Sequence, residues 1–136
     1  MEGRRCDATP KARLNMVHRQ NDVLIVEDDA EVSFVFKLLL ADEGFDVSVA
    51  PNGLAALELV DDHQPDLILL DLNMPIMDGE TFAARFRDEY GTDTPIIMIT
   101  AVPPPALEER IENAIVLKKP VELDFLLETI DYCLVP

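Results

Sequence analysis

Four short clusters in this chain hold side chains that can do chemistry. Glu27-Asp28-Asp29 is a run of carboxylates; Asp71 follows the apolar run Leu67–Leu70; Thr100 follows Pro95–Ile99; and Lys118-Lys119 follows Ile115–Leu117. Brought together, they would place three or four carboxylates, a hydroxyl and an ammonium around one point. Clustered carboxylates repel, and their pKa values rise unless something compensates. A divalent cation is one solution, and a small all-oxygen donor set suits Mg²⁺, which binds one or two carboxylates plus a phosphate and keeps several waters. A lysine supplies a point charge for a phosphate oxygen, and a threonine hydroxyl supplies a neutral donor. Asp71 alone has three readings: a nucleophile that forms an aspartyl phosphate, a metal ligand, or a helix cap.

The elements that must position these groups follow from the alternation of apolar runs and breakers. Strands are expected at Val23–Val26, Phe45–Val49, Leu67–Leu70, Pro95–Ile99 and Ile115–Leu117. Helices are expected over Ala30–Glu43, closed by Gly44; from a cap at Asn52 to about Asp62; over Glu80–Tyr90, stopped by Gly91; over Leu107–Asn113; and over Val121–Leu134, led in by Pro120. Leu67–Leu70, between Pro65 and the turn-forming Pro75, Asp78 and Gly79, reads as a strand buried on both faces. Five β-α units of this kind argue an α/β fold with a parallel sheet and helices on both faces. Right-handed crossovers restrict it to a few doubly wound forms. In such sheets all strands end on one edge, the edge at which ligands bind. All four clusters stand at strand ends and so share that edge.

Composition sets outer limits. At 136 residues, one domain is favoured, and an apolar content of 49% suffices for a core. No apolar run approaches the roughly 18–20 residues of a membrane span, and no signal peptide is visible. Cys6 and Cys133 lie far apart without metal spacing, so a reduced, cytoplasmic protein is expected. Residues 1–20 lack periodicity and read as a flexible basic tail, with 21–136 as the folded unit. Residues 1–21 hold Arg4, Arg5, Lys11, Arg13 and Arg19 against Glu2 and Asp7, whereas the whole chain carries −16. The acidic body argues against direct DNA binding, since phosphates would be repelled. No G-x-G-x-x-G follows the first strand, which disfavours a dinucleotide-binding module. His18 and His63 have no ligand-type neighbours and read as surface residues. Met74 and Met77 read as packing residues, and Gly79 as a position needing either φ > 0 or close backbone approach.

VLIVEDD, LLDLNMPIMDG, IIMITA and LKKP, in that order, resemble the receiver domain of two-component response regulators. The resemblance covers residues 22–136. It implies a flavodoxin-like (βα)5 fold with strand order 2-1-3-4-5. It makes Asp71 the acceptor of a phosphoryl group from a histidine kinase or a phosphotransfer protein. It makes Glu27 and Asp28 the acidic pair that holds Mg²⁺, with Asp71 and the backbone carbonyl of Asn73 as further ligands. Thr100 matches the switch hydroxyl and Lys119 the phosphate-contacting lysine, with Lys118 the adjacent candidate. Asp29, one place after the acidic pair, reads as a helix cap. An independent enzyme is not expected: a phosphohydrolase would need a second carboxylate two residues after the nucleophile, where this chain has Asn73. Because the chain ends with its fifth helix, a stand-alone switch or phosphorelay shuttle acting on a downstream protein is expected. The alternative is a degenerate receiver that binds partners without phosphorylation.

Three features depart from that family. The switch aromatic, three residues before the lysine, is replaced by Val116. The segment between Thr100 and Lys119 is short and contains Pro103-Pro104-Pro105, so its helix should be only about two turns, with a stiff leading loop. In Val32–Leu40 only Ser33 and Lys37 are polar. That helix is expected to be buried between the sheet and the last helix, the alternative being an apolar patch for a partner.

Overall fold

The computed structural model describes residues 21–74 and 76–135. The expected tail, Cys6, His18 and Pro75 lie outside the described residues. In chain order the elements are β1 (Asp22–Val26), α1 (Ala30–Asp42), β2 (Asp46–Ala50), α2 (Gly53–Asp62), β3 (Leu67–Asp71), α3 (Gly79–Tyr90), β4 (Ile96–Thr100), α4 (Leu107–Arg110), β5 (Ala114–Lys118) and α5 (Leu123–Leu134). The five strands form one sheet in the order β2-β1-β3-β4-β5, with every pairing parallel. This is the flavodoxin-like doubly wound fold.

Strand side chains alternate between faces, and the core divides accordingly. Leu24, Val26, Ile68, Leu70, Ile96 and Met98 pack with Val60, Phe82, Phe86 and Leu107 on one side. Val23, Ile25, Leu67, Leu69, Ile97 and Ile99 pack with Leu40, Phe45, Leu126 and Ile130 on the other. Every residue of β3 and β4 is buried, as the unbroken apolar runs require. Burial of each such Leu or Ile is worth about 1.5–3 kcal/mol, so the two central strands form a rigid base for what stands at their ends.

Caps set the helix boundaries. Asp29 accepts from the Glu31 and Val32 N–H groups at 2.9 and 3.3 Å, Asn52 from Ala55 N–H at 2.8 Å, and Asp78 from Thr81 N–H at 2.8 Å. Each satisfies donors that the first turn leaves free. Gly44 and Gly91 take φ of 100° and 90° where α1 and α3 stop, a conformation open to glycine without a Cβ penalty.

Three expectations need correction. The fourth helix is one turn, Leu107–Arg110, and not Leu107–Asn113. It stops because the backbone beyond it is engaged elsewhere. The Arg87 guanidinium donates to the Glu112 and Asn113 carbonyls at 2.6 and 2.9 Å and to Gly91 O at 3.1 Å. Asn113 itself turns to φ 54° and donates to Thr92 O at 2.8 Å. Arg87→Met is therefore expected to lower stability by about 1–2 kcal/mol, since it removes charge-assisted bonds to Glu112 O and Gly91 O while Asn113 O keeps the Ile96 N–H; urea denaturation measures this directly. The last helix begins at Leu123, after an extended Glu122, and not at Val121. Finally, α1 is not enclosed. The 3.6-residue period turns Ser33 and Leu40 inward, with Phe36 against the core, and leaves Phe34, Val35 and Leu38 exposed by 60%, 50% and 55%. Its apolar residues thus encircle the helix, and the outward ones form a surface patch.

Candidate functional site

Strand register brings the chemically capable groups level. Val26 pairs with Leu70, so the next residues, Glu27 and Asp71, leave β1 and β3 side by side. Asp71 pairs with Ile99, and Thr100 with Lys118. Leu72 N–H donates to Ile99 O at 3.2 Å and Lys119 N–H to Thr100 O at 2.8 Å, which carries the ladder past the strand ends. One carboxylate oxygen from each of Glu27, Asp28 and Asp71 lies within 4.8 Å of the other two. Glu27, Asp71 and Thr100 are buried, whereas Asp28 is exposed.

The partners of each group are specific. Lys119 Nζ lies 3.3 Å from Asp71 Oδ1, a half-exposed ammonium on a buried carboxylate. Asn73 N–H donates to the same oxygen at 3.3 Å. Glu27 accepts from Asp29 N–H at 3.1 Å, while Asp29 turns its own side chain to cap α1. Thr100 Oγ1 donates to Val102 O at 3.5 Å. Lys118 is exposed on β5, whereas Lys119 is the one that reaches Asp71. A cleft of about 530 Å³ opens beside the site, walled by Asp28, Leu72, Asn73, Met74, Thr100 and Pro104 among others.

Three carboxylates against one ammonium leave local negative charge in a partly dry place. Burial, with the neighbouring Asp71 and Asp28 charges, pushes Glu27 up to about 7, against the opposing pull of Asp29 N–H and Lys119. An unfolded Glu titrates near its ordinary value of 4.5. Between these two values the folded chain binds more protons than the unfolded one. Without divalent cations its stability should therefore fall as pH rises from about 4.5 to 7 and level off above that. Glu27→Gln should flatten this fall. Thermal melting across that range, without and with Mg²⁺, is the check, and the ion should restore stability most above pH 7, where the carboxylate is free to bind it. The donor set is all oxygen, with two members buried, and so fits a hard divalent cation.

Sequence reasoning passed over the groups that brace the rim. Glu80 on α3 accepts from Arg110 Nε and Nη2 at 3.0 and 2.8 Å, and Arg110 Nη1 donates to Pro105 O at 2.8 Å. No local signal marks such a pair thirty positions apart. Asp78 was legible as a turn former, and an Asp directly ahead of a helix with Glu80 in its first turn is the signal for the cap it makes. Gly79 has the close approach among its two expected roles: a Cβ there would stand 2.5 Å from Asp71 O. His63 is exposed and bonded to Asp22 on the opposite edge of the sheet, away from the site.

Comparisons with known proteins agree with this geometry. The family model of the response regulator receiver domain matches residues 23–131. An uncharacterized 14.6 kDa protein of Leptolyngbya boryana is 37% identical over 85% of this chain and 92% of its own length. The DNA-binding transcriptional regulator RpaA of Synechocystis is 41% identical over 59% of this chain, a match that spans only 34% of that regulator. Among solved structures, the Vibrio cholerae chemotaxis protein CheY4 superposes with a TM-score of 0.77 at 29% identity, covering 83% of this chain and 98% of that one. The BeF3-activated N-terminal receiver domain of Klebsiella pneumoniae RstA gives 0.77 at 28% identity, covering 85% of this chain and all of that one.

Proposed function

Because the chain belongs to the receiver-domain family of two-component response regulators, we propose that Asp71 accepts a phosphoryl group from the phosphohistidine of a histidine kinase or phosphotransfer protein. An Asp71 carboxylate oxygen attacks phosphorus, the P–N bond breaks, and its electron pair leaves with the imidazole. Lys119, 3.3 Å from Asp71, holds a positive charge where the phosphoryl oxygens gain negative charge. Thr100 turns its hydroxyl from Val102 O towards a phosphoryl oxygen. Asn73 N–H orients the nucleophile. Glu27, Asp28, Asp71 and the Asn73 backbone carbonyl would hold Mg²⁺. When bound, that ion neutralises phosphoryl charge, which is most of what this reaction asks of a protein.

The observation that carries this reading is the buried Asp71, flanked within 4.8 Å by two carboxylates and met by one lysine. A structural ion pair would have no use for the second and third carboxylates. The protein then acts as a switch: phosphorylation shifts a two-state equilibrium that a downstream protein reads. Driving it from 1:99 to 99:1 takes about 5.5 kcal/mol of differential stabilisation. We place this activity in the cytoplasm. Among the described residues, no helix is long and apolar enough to cross a membrane. The acidic chain favours a protein partner over DNA.

Incubation with acetyl phosphate and Mg²⁺ tests the proposal. Intact mass should show one phosphoryl group per chain, lost when EDTA is present. Sustained turnover of a phosphomonoester would instead make the protein a hydrolase. Absence of any adduct would leave the phosphorylation-independent binding module.

A further inference from the structure

The position that would carry a switch aromatic is Val116, and its backbone is held in an unusual way. β5 is an outer strand of the sheet. Asn113 O and Lys119 N–H bond to β4, so Val116, of opposite parity, directs its N–H off the open edge. That donor is taken by Glu108 Oε2 of the single-turn α4, at 2.7 Å. The connection from the site to Glu108 is short. Thr100 Oγ1 bonds Val102 O; Pro103, Pro104 and Pro105 follow, each with φ fixed by its ring. Ala106 then turns to φ 59°, a conformation that costs a non-glycine residue energy. Leu107 is buried and Glu108 comes next. Beside Val116 a cavity of about 230 Å³, lined by Pro103, Pro104, Leu107 and Glu108 among others, leaves room for the turn to shift.

We propose that Glu108 is a latch: in the unphosphorylated chain it holds α4 on the edge of β5 through the Val116 N–H, and it lets go when Thr100 turns to a phosphoryl group on Asp71. The inference rests on the phosphoacceptor reading above. When Thr100 turns to the phosphoryl group, its weak 3.5 Å contact with Val102 O is given up, and the stiff proline segment that follows is free to shift. The αL residue Ala106 is the hinge at which that strain relaxes, and release of Glu108 uncovers the outward edge of β5 at Val116. The loop and the latch thus do here what a swinging ring would do, and they change the same surface. By linkage, a group that holds the resting state opposes ligands of the active state, and its removal favours them to the same extent.

Amide hydrogen exchange by NMR, with beryllofluoride and Mg²⁺ as the phosphoryl mimic, tests the latch. Val116 N–H should be protected in the resting protein and exchange at least about tenfold faster once beryllofluoride binds. In Glu108→Ala it should exchange fast in both states. That variant should bind beryllofluoride about three- to tenfold more tightly than the parent chain, while Glu109→Ala, altering the neighbouring carboxylate, should not. Beryllofluoride binding with Val116 protection unchanged, or equal affinity in Glu108→Ala, would overturn the latch alone. Failure of the parent chain to bind beryllofluoride at all would overturn the phosphoacceptor reading, and the latch with it.

Discussion

Asp71→Asn is expected to lower phosphoryl uptake from acetyl phosphate by roughly three orders of magnitude or more, because it removes the attacking oxygen and not an accessory contact. The amide keeps the shape of the carboxylate, so the variant should retain the circular dichroism spectrum of the parent chain. Mg²⁺ affinity should fall as well, since the amide lacks the charge that a hard cation favours. Lys119, which meets Asp71 Oδ1 at 3.3 Å, would lose its ionic partner. Rates come from intact mass against time. Equal uptake by Asp71→Asn would place the acceptor elsewhere, with Glu27 and Asp28 the next carboxylates to try.

Gly79→Ala is expected to lower stability by about 3 kcal/mol, at the upper end of the usual cost of overpacking. The added Cβ would stand 2.5 Å from Asp71 O and 2.7 Å from Leu72 Cα. Both are backbone atoms of a central strand end and cannot rotate aside. Gly79 N–H also donates to Leu72 O at 3.0 Å, so the two segments cannot separate without losing that bond. Relief by movement would displace the backbone that carries Asp71, and the folded fraction should phosphorylate more slowly, since small misplacements at a reacting centre are costly. Gly91→Ala is the contrast. A Cβ there meets nothing within 4 Å, and only its backbone, at φ 90° and ψ −158°, resists the change, at a cost of about 1–3 kcal/mol. Urea denaturation of both variants separates close approach from backbone preference. A Gly79→Ala chain as stable as the parent would mean that β3 and α3 are not clamped as described.

Much of this was legible in the sequence because the relevant physics is local. Apolar runs such as Leu67–Leu70 between breakers define strands, and Asp29 and Asn52 announce helix starts. Parallel strands then force their C-terminal ends to one edge, which is why Glu27, Asp71, Thr100 and Lys119 could be grouped before any distance was known. What was not legible depends on contacts remote in sequence. The length of α4 is set by Arg87 and Asn113 engaging the carbonyls and backbone around it. The bond from Val116 N–H to Glu108 exists only because a short helix and an edge strand meet. Apolar content alone could not orient α1. The spacing of Ser33, Phe36 and Leu40 held that information, but a helix with apolar residues all round offers no polar face to mark the outside.

The most direct test of the central claim is chemical mapping of the acceptor. The chain, phosphorylated with acetyl phosphate and Mg²⁺, is reduced with borohydride, which converts an acyl phosphate to an alcohol and so turns an aspartyl phosphate into homoserine. Peptide mass spectrometry should then find homoserine at position 71 and at no other aspartate. Reduction product at Glu27 or Asp28, or none at position 71 in a chain that has gained phosphoryl mass, would contradict the assignment of Asp71 as the phosphoacceptor.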